Sequence, residues 1–112
     1  MPTVTKIKRN DTAPAFTATL LDSSGTPVNL SGAAARFLMR NPRTRQIKVD
    51  AAATIVDAAA GKVRYDWAVG DTNRAAVYQV EIQITFSDST VETFPNGSFH
   101  RLEVIKDLGP AG

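Results

Sequence analysis

The sequence predicts an all-β domain, an antiparallel β-sandwich of seven to eight strands, on three observations. Apolar residues recur at every second position along most of the chain, and no window carries a helical apolar period. Turn signals rich in Gly, Pro, Asn and Asp interrupt these runs about every ten residues. The alternation also leaves a polar face on each run, so each sheet is expected to meet water on one side and a shared core on the other.

Residues 4–8 form the first candidate strand. Residues 15–21 follow, with Phe16, Ala18 and Leu20 on one face, and end in Asp22-Ser23-Ser24-Gly25-Thr26-Pro27, where Gly supplies a positive φ and Pro presets its own. Ala35, Phe37 and Met39 share the next face until Asn41-Pro42 breaks it. Residues 46–49 and 53–56 read as one bent strand or two short ones, and Ala51-Ala52-Ala53 is where a helical turn would fit. Beyond the turn at 57–61, Val63, Tyr65 and Trp67 alternate with Lys62, Arg64 and Asp66, and the polar residues 70–75 read as a turn. The most regular run sets Tyr78, Val80, Ile82, Ile84 and Phe86 against Gln79, Glu81, Gln83 and Thr85. Ser87-Asp88-Ser89 turns it into residues 90–94, and Pro95-Asn96-Gly97 leads to a last strand over 99–105. Phe16, Leu20, Phe37, Trp67, Tyr78, Val80, Ile82, Ile84, Leu102 and Val104 are the expected core. The organisation expected is an N-terminal arm over 1–11, a sandwich over 12–106 and a flexible tail over 107–112.

At 112 residues and 43% hydrophobic content the chain suits one core and one domain. No run approaches the roughly 18 apolar residues of a membrane span, and the N-terminus lacks the apolar stretch of a secretory signal. The expectation is a chain made in a cytoplasm, with no membrane partner. Zero cysteines exclude disulfides, thiolate metal ligands and a cysteine nucleophile. Net charge is +2, but residues 1–48 hold eight Lys/Arg against two Asp, and residues 49–112 hold five against nine acids, which is +6 against −4. Such asymmetry steers association with an acidic surface, or head to tail between identical copies. Mixed charge on solvated strand faces is the plainer account.

Catalytic chemistry finds little footing. His100 is the one histidine, so a histidine metal site or a Ser-His-Asp relay would have to be built around it, and its place in a strand between Phe99 and Arg101 suits packing instead. Asp66 and Asp71 flank a turn without the converging oxygen ligands of a cation loop. The glycines are scattered through turns rather than clustered ahead of a helix, which excludes a phosphate-cradling loop. No enzyme, cofactor, catalytic or metal residue is expected. The one sharp charge feature is Arg40-Asn41-Pro42-Arg43-Thr44-Arg45-Gln46-Ile47-Lys48. On a hairpin tip, Arg40, Arg43, Arg45 and Lys48 suit partner carboxylates or phosphates. A nucleic-acid reader would interleave aromatics for stacking, and none lie between Arg40 and Lys48, so a solvated loop, and after it an acidic protein partner, is expected ahead of nucleic acid. The arm, with Lys6, Lys8 and Arg9, suits addition along a neighbour's sheet edge.

Four motifs occur in order: Asp22…Gly25…Pro27-Val28-Asn29-Leu30, Ala60-Gly61-Lys62-Val63-Arg64-Tyr65, Val77-Tyr78, and Glu92-Thr93-Phe94-Pro95-Asn96. Together they resemble the N-terminal domain family of phage baseplate upper proteins, over roughly residues 12 to 105. Val77 stands where that family usually has glycine, and Ser89 where its hairpin usually has Asp-Gly. The resemblance implies an immunoglobulin-like virion domain, a multi-copy structural protein of tail, baseplate or capsid exterior whose partners are other virion proteins and copies of itself. It also implies a structural corner at Tyr78, whose hydroxyl would bond backbone in the turn just upstream. The alternative is a host-receptor or carbohydrate-binding module of the particle, for which Phe94 and Phe99 are the aromatics expected at the surface.

Overall fold

The computed structural model describes residues 4–95 and 99–108. Eight strands form one curled sheet with no helix among the described residues. They are β1 (Val4–Lys8), β2 (Phe16–Thr19), β3 (Ala34–Arg40), β4 (Ile47–Asp57), β5 (Lys62–Tyr65), β6 (Ala76–Thr85), β7 (Val91–Phe94) and β8 (His100–Ile105). The order across the sheet is β1-β8-β6-β3-β4-β5-β2, with β7 paired to β6 beside β8. β6 therefore has a divided edge: Ala76 to Val80 pair with β8, and Ile82 to Thr85 with β7.

The curl originates in β4. Its register with β3 spans Ile47 to Ala53, and its register with β5 spans Thr54 to Asp57, so one strand changes partner midway. The alanines lie at the changeover. Any helical tendency of Ala51-Ala52-Ala53 is overridden because their small side chains leave room beneath the sheet: Ala51 is the cross-strand neighbour of the fully buried Phe37. The β2–β5 limb thus lies over the floor of β3, β6 and β8. Phe16 on β2 meets Phe37 on β3 and His100 on β8, each at 5.2 Å between ring centroids. Tyr65 stacks on Phe37 at 4.3 Å, and Trp67 packs edge-on against both. Buried aromatics of this kind carry the largest apolar areas in a small core.

All ten expected core residues are buried, joined by Ile7, Leu30, Ala35, Met39, Val49, Val63, Tyr65 and Phe94. Phe94 had been expected at the surface; its position opposite Ile82 turns it inward instead. Two expectations about the ends also change. β1 forms at the expected residues 4–8 but pairs with β8 of its own chain, in parallel, rather than adding to a neighbour's sheet edge, and the sheet is not purely antiparallel. Ile7 enters the core, which gives β1 an apolar reason to stay. Arg9 is 6% exposed; its amide donates to the Ile105 carbonyl and its guanidinium to Asp107 Oδ1 at 2.7 Å. Asp107 is consequently tied down, while residues 109–112 of the expected tail and residues 96–98 of the expected last turn lie outside the described residues.

Candidate functional site

The β3–β4 hairpin gathers the basic run. The Asn41 amide donates to the Gln46 carbonyl and the Arg45 amide to the Asn41 carbonyl, while Asn41 Oδ1 accepts from the amides of Arg43 and Thr44. An Asx-type acceptor of this kind fixes a tight turn without cross-chain help. Arg43 and Arg45 are held outward in solvent, with no side-chain partner among the described residues. Arg40, half-buried, donates to Gln79 Oε1 at 3.0 Å and sits 5.9 Å from the centre of the Phe99 ring. Lys48 Nζ donates to Asn73 Oδ1 at 2.6 Å, which joins the hairpin to the turn before β6.

That turn supplies what the sequence reading missed. Asn41, Thr44, Gln46, Lys48, Asn73 and Arg74 line an open polar cleft of about 660 Å³, with Tyr78 at its base. Asn73 and Arg74 carried no signal beyond a polar turn, because their meeting with residues 41–48 depends on the sheet order. Tyr78 is the connection: its hydroxyl donates to the Arg74 carbonyl at 2.8 Å, placing the corner four residues upstream. Burial pushes the Tyr78 phenol above its usual value, so it remains a neutral donor.

Asp71, in the same turn, is already engaged. Asp71 Oδ2 accepts from the Tyr65 hydroxyl at 2.5 Å and from the Ala68 amide at 2.8 Å. Burial, and then Asp71, raise the Tyr65 phenol well above its ordinary value, so this contact is a structural strut. Of the other sequence-chosen cations, Lys6 stands opposite Glu103 and Lys8 opposite Ile105 on exposed positions of β1, two strands across from β6. They lie beside the cluster rather than in it. Arg9 is buried, with its guanidinium paired to the half-buried Asp107, which corrects its place among partner-binding residues.

His100 is half-buried. It shares a 2.7 Å hydrogen bond between Nε2 and Thr5 Oγ1, and packs edge-on against Phe16. Burial holds its imidazole below the usual value, which favours the neutral ring. Among the described residues no group of three or more His, Cys, Asp or Glu side chains could hold a metal ion. Arg36 with Asp50 and Arg64 with Asp66 form ion pairs at exposed positions, of the kind that contributes little to stability.

By sequence, no protein family and no curated protein matches the chain. By structure, it is similar to CopC from Methylosinus trichosporium OB3b. The two align with a TM-score of 0.57 at 10% identity, over 96% of this chain and 88% of that one. At that identity the likeness is one of fold: an all-β chain of the same overall path.

Proposed function

We propose that the chain is a structural protein of a tailed-phage particle, a multi-copy immunoglobulin-like β-sandwich that docks on tail, baseplate or capsid by protein–protein contacts. It works by binding, not catalysis. The observation that carries the reading is where the four ordered motifs lie. Three of them fix a turn or corner that the curled sheet depends on, and the fourth seats an aromatic in the core. The Asp22 amide donates to the Thr26 carbonyl, Gly61 lies against Leu20 and Val28, Tyr78 bonds back to Arg74, and Phe94 enters the core just before Pro95. A motif set that encodes geometry alone, together with an exposed basic cleft, suits a module that holds a place in an assembly.

The second reading, a host-receptor or carbohydrate-binding module, keeps one supporting observation. Phe99 is 43% exposed beside Arg40, an aromatic and polar pair of the kind that stacks on a sugar ring. The test is antibody labelling of intact, purified phage particles with serum raised against this protein, with a glycan array in parallel. Label on the particle at tail, baseplate or capsid is expected. A protein that is missing from purified particles overturns the proposal, and array binding abolished by F99A would favour the second reading.

A further inference from the structure

The charge asymmetry of the sequence is also an asymmetry in space. β4 runs eleven residues, about 35 Å of extended strand, from Ile47 beside the basic hairpin to Asp57 at its opposite end. Three turns meet at that opposite end. The Leu20 amide donates to the Gly61 carbonyl and the Leu30 amide to the Ala58 carbonyl, which ties the segment around residues 20–30 to the β4–β5 turn. A Cβ on Gly32 would lie 3.5 Å from the Ser87 Cβ, which brings the β6–β7 turn alongside. Each turn is capped by an exposed aspartate. Asp22 Oδ1 accepts the Ser24 and Thr26 amides, Asp57 Oδ1 the Ala60 amide, and Asp88 Oδ1 the Thr90 amide and hydroxyl. Lys62, cross-strand from Asp57, is the cation beside them.

The other end is the reverse. Lys48 and Arg74 line the polar cleft, Arg43 and Arg45 project into solvent from the hairpin that borders it, and Arg40 lies half-buried where that hairpin begins. Its acids are largely committed: Asp71 to Tyr65 and Ala68, and Asp107 to Arg9; Asp11 is exposed at the turn bonded to Thr72.

We propose that the protein associates head to tail with itself, the Asp22, Asp57 and Asp88 end of one copy entering the basic cleft end of the next. A second copy is the occupant because the chain carries both halves of the complement on opposite ends. Side-by-side packing in the same direction would set like charges together, whereas end-to-end packing pairs them. Such an interface is heterologous, so it leaves a free basic end and a free acidic end and extends into a chain or closes into a ring. Exposed charges set orientation more than strength, so the contact is weak in solution and multiplied in an array. This deepens the structural-protein reading by naming a partner for the basic cleft.

Sedimentation velocity on the purified protein tests it. Mass that rises with concentration at low salt is expected, returning to monomer in about 1 M salt, where the screening length is about 3 Å. R43Q/R45Q/R74Q removes the basic end, and D22N/D57N/D88N removes the acidic charge while keeping an amide oxygen for each turn. Each variant alone should associate at least tenfold more weakly. Mixed together, they should form a discrete pair, because each retains the end the other lacks. Circular dichroism establishes that each variant is folded; should the asparagine variant unfold, the glutamine variant alone decides the outcome. Wild-type protein that stays monomeric at low salt near 1 mM, or association that survives either set, overturns the proposal. Particle labelling is independent of this measurement, so labelled particles with a monomeric protein would sink only the self-association, and the converse only the virion reading.

Discussion

Gly61 offers the sharpest test of how the turns hold the curled sheet. It occupies φ = +66°, and a Cβ placed on it would stand 2.7 Å from the Leu20 carbonyl oxygen, 2.9 Å from the Val28 oxygen and 3.1 Å from the Val28 nitrogen. All three are backbone atoms, so no side chain can swing aside. Gly61→Ala therefore meets two costs. The left-handed conformation costs an L-residue about 1–2 kcal/mol. Relieving the clash must move the 20–28 strand end away from the β4–β5 turn, at the expense of the Leu20 amide to Gly61 carbonyl bond (2.8 Å) and the Val28 amide to Leu20 carbonyl bond (2.9 Å), each worth about 1 kcal/mol. The expected loss is about 3 kcal/mol, a large fraction of the roughly 5–15 kcal/mol that holds a domain folded. Gly25→Ala is the matched control, because Gly25 also has a positive φ, +82°, but nothing lies within 4 Å of its missing Cβ. Its cost should be the conformational part alone, about 1 kcal/mol. Urea unfolding followed by Trp67 fluorescence suits both variants, since Trp67 is the single tryptophan and is buried beside Phe37 and Tyr65. If the two alanine variants lose equal stability, the close approach of Leu20 and Val28 to Gly61 is not what holds the turn, and the reasoning fails.

Two further outcomes are expected. Ser89 sits at φ = +72° in the β6–β7 turn, where the Ser89 amide donates to Phe86 and the Phe86 amide to Thr90; Ser89→Gly should raise stability by about 0.5 kcal/mol in the same urea assay, as strain relief slightly exceeds the added unfolded-state freedom. His100 has a lowered pKa in the fold, so below the free imidazole value of about 6.5 the unfolded chain takes up its proton first. Stability should therefore fall as pH drops from about 6.5 towards the folded pKa and level off beneath it. H100Q should flatten that slope between about pH 5 and 7, and an equally steep slope in the variant would assign the effect to other groups.

Much of the fold was legible because a strand writes its burial into the sequence at every second residue. Tyr78 through Ile84 alternates so cleanly that only one register buries the apolar side. β4 was less legible, because Ala51 and Ala53 are small enough for a helix, a surface or a core, and their role depends on Phe37 across the strand pair. β1 was legible as a strand but not in its partner: its pairing with β8 joins residues nearly a whole chain apart, and a short strand with lysines suits a neighbour's sheet edge until Ile7 is seen in the core of its own chain. At the candidate site, Arg40, Arg43, Arg45 and Lys48 were visible as a run in sequence. Asn73 and Arg74 were not, because the cleft is made by the return of the chain before β6. Arg9 shows the opposite failure: a cation in a basic segment reads as surface, and only its pairing with Asp107 takes it inside.

The turns themselves say something about why the charges lie where they do. A tight turn of this kind needs an acceptor oxygen from the residue before it, and an amide oxygen serves as well as a carboxylate. The protein uses both: Asn41 caps the β3–β4 loop, and Asn29 accepts the Ser31 amide. The fold is therefore nearly indifferent between Asn and Asp at residues 22 and 57, while at 88 the Thr90 bonds hold the carboxyl below its ordinary value and so favour the charged form modestly. Yet aspartate occupies all three, at the end of β4 away from the basic hairpin and with Asn29 as the asparagine among them, while that hairpin is itself capped by asparagine. An aspartate cap at the basic hairpin would have neutralised part of the cluster, and asparagine caps at the far end would have left it uncharged. Because the turn hydrogen bonds do not require this arrangement, its consequence lies outside the turns, in the field each end presents to another molecule. For the same reason the three Asp→Asn changes alter that field while leaving the turn acceptors in place, and a loss of association on making them would report on charge rather than on a damaged fold.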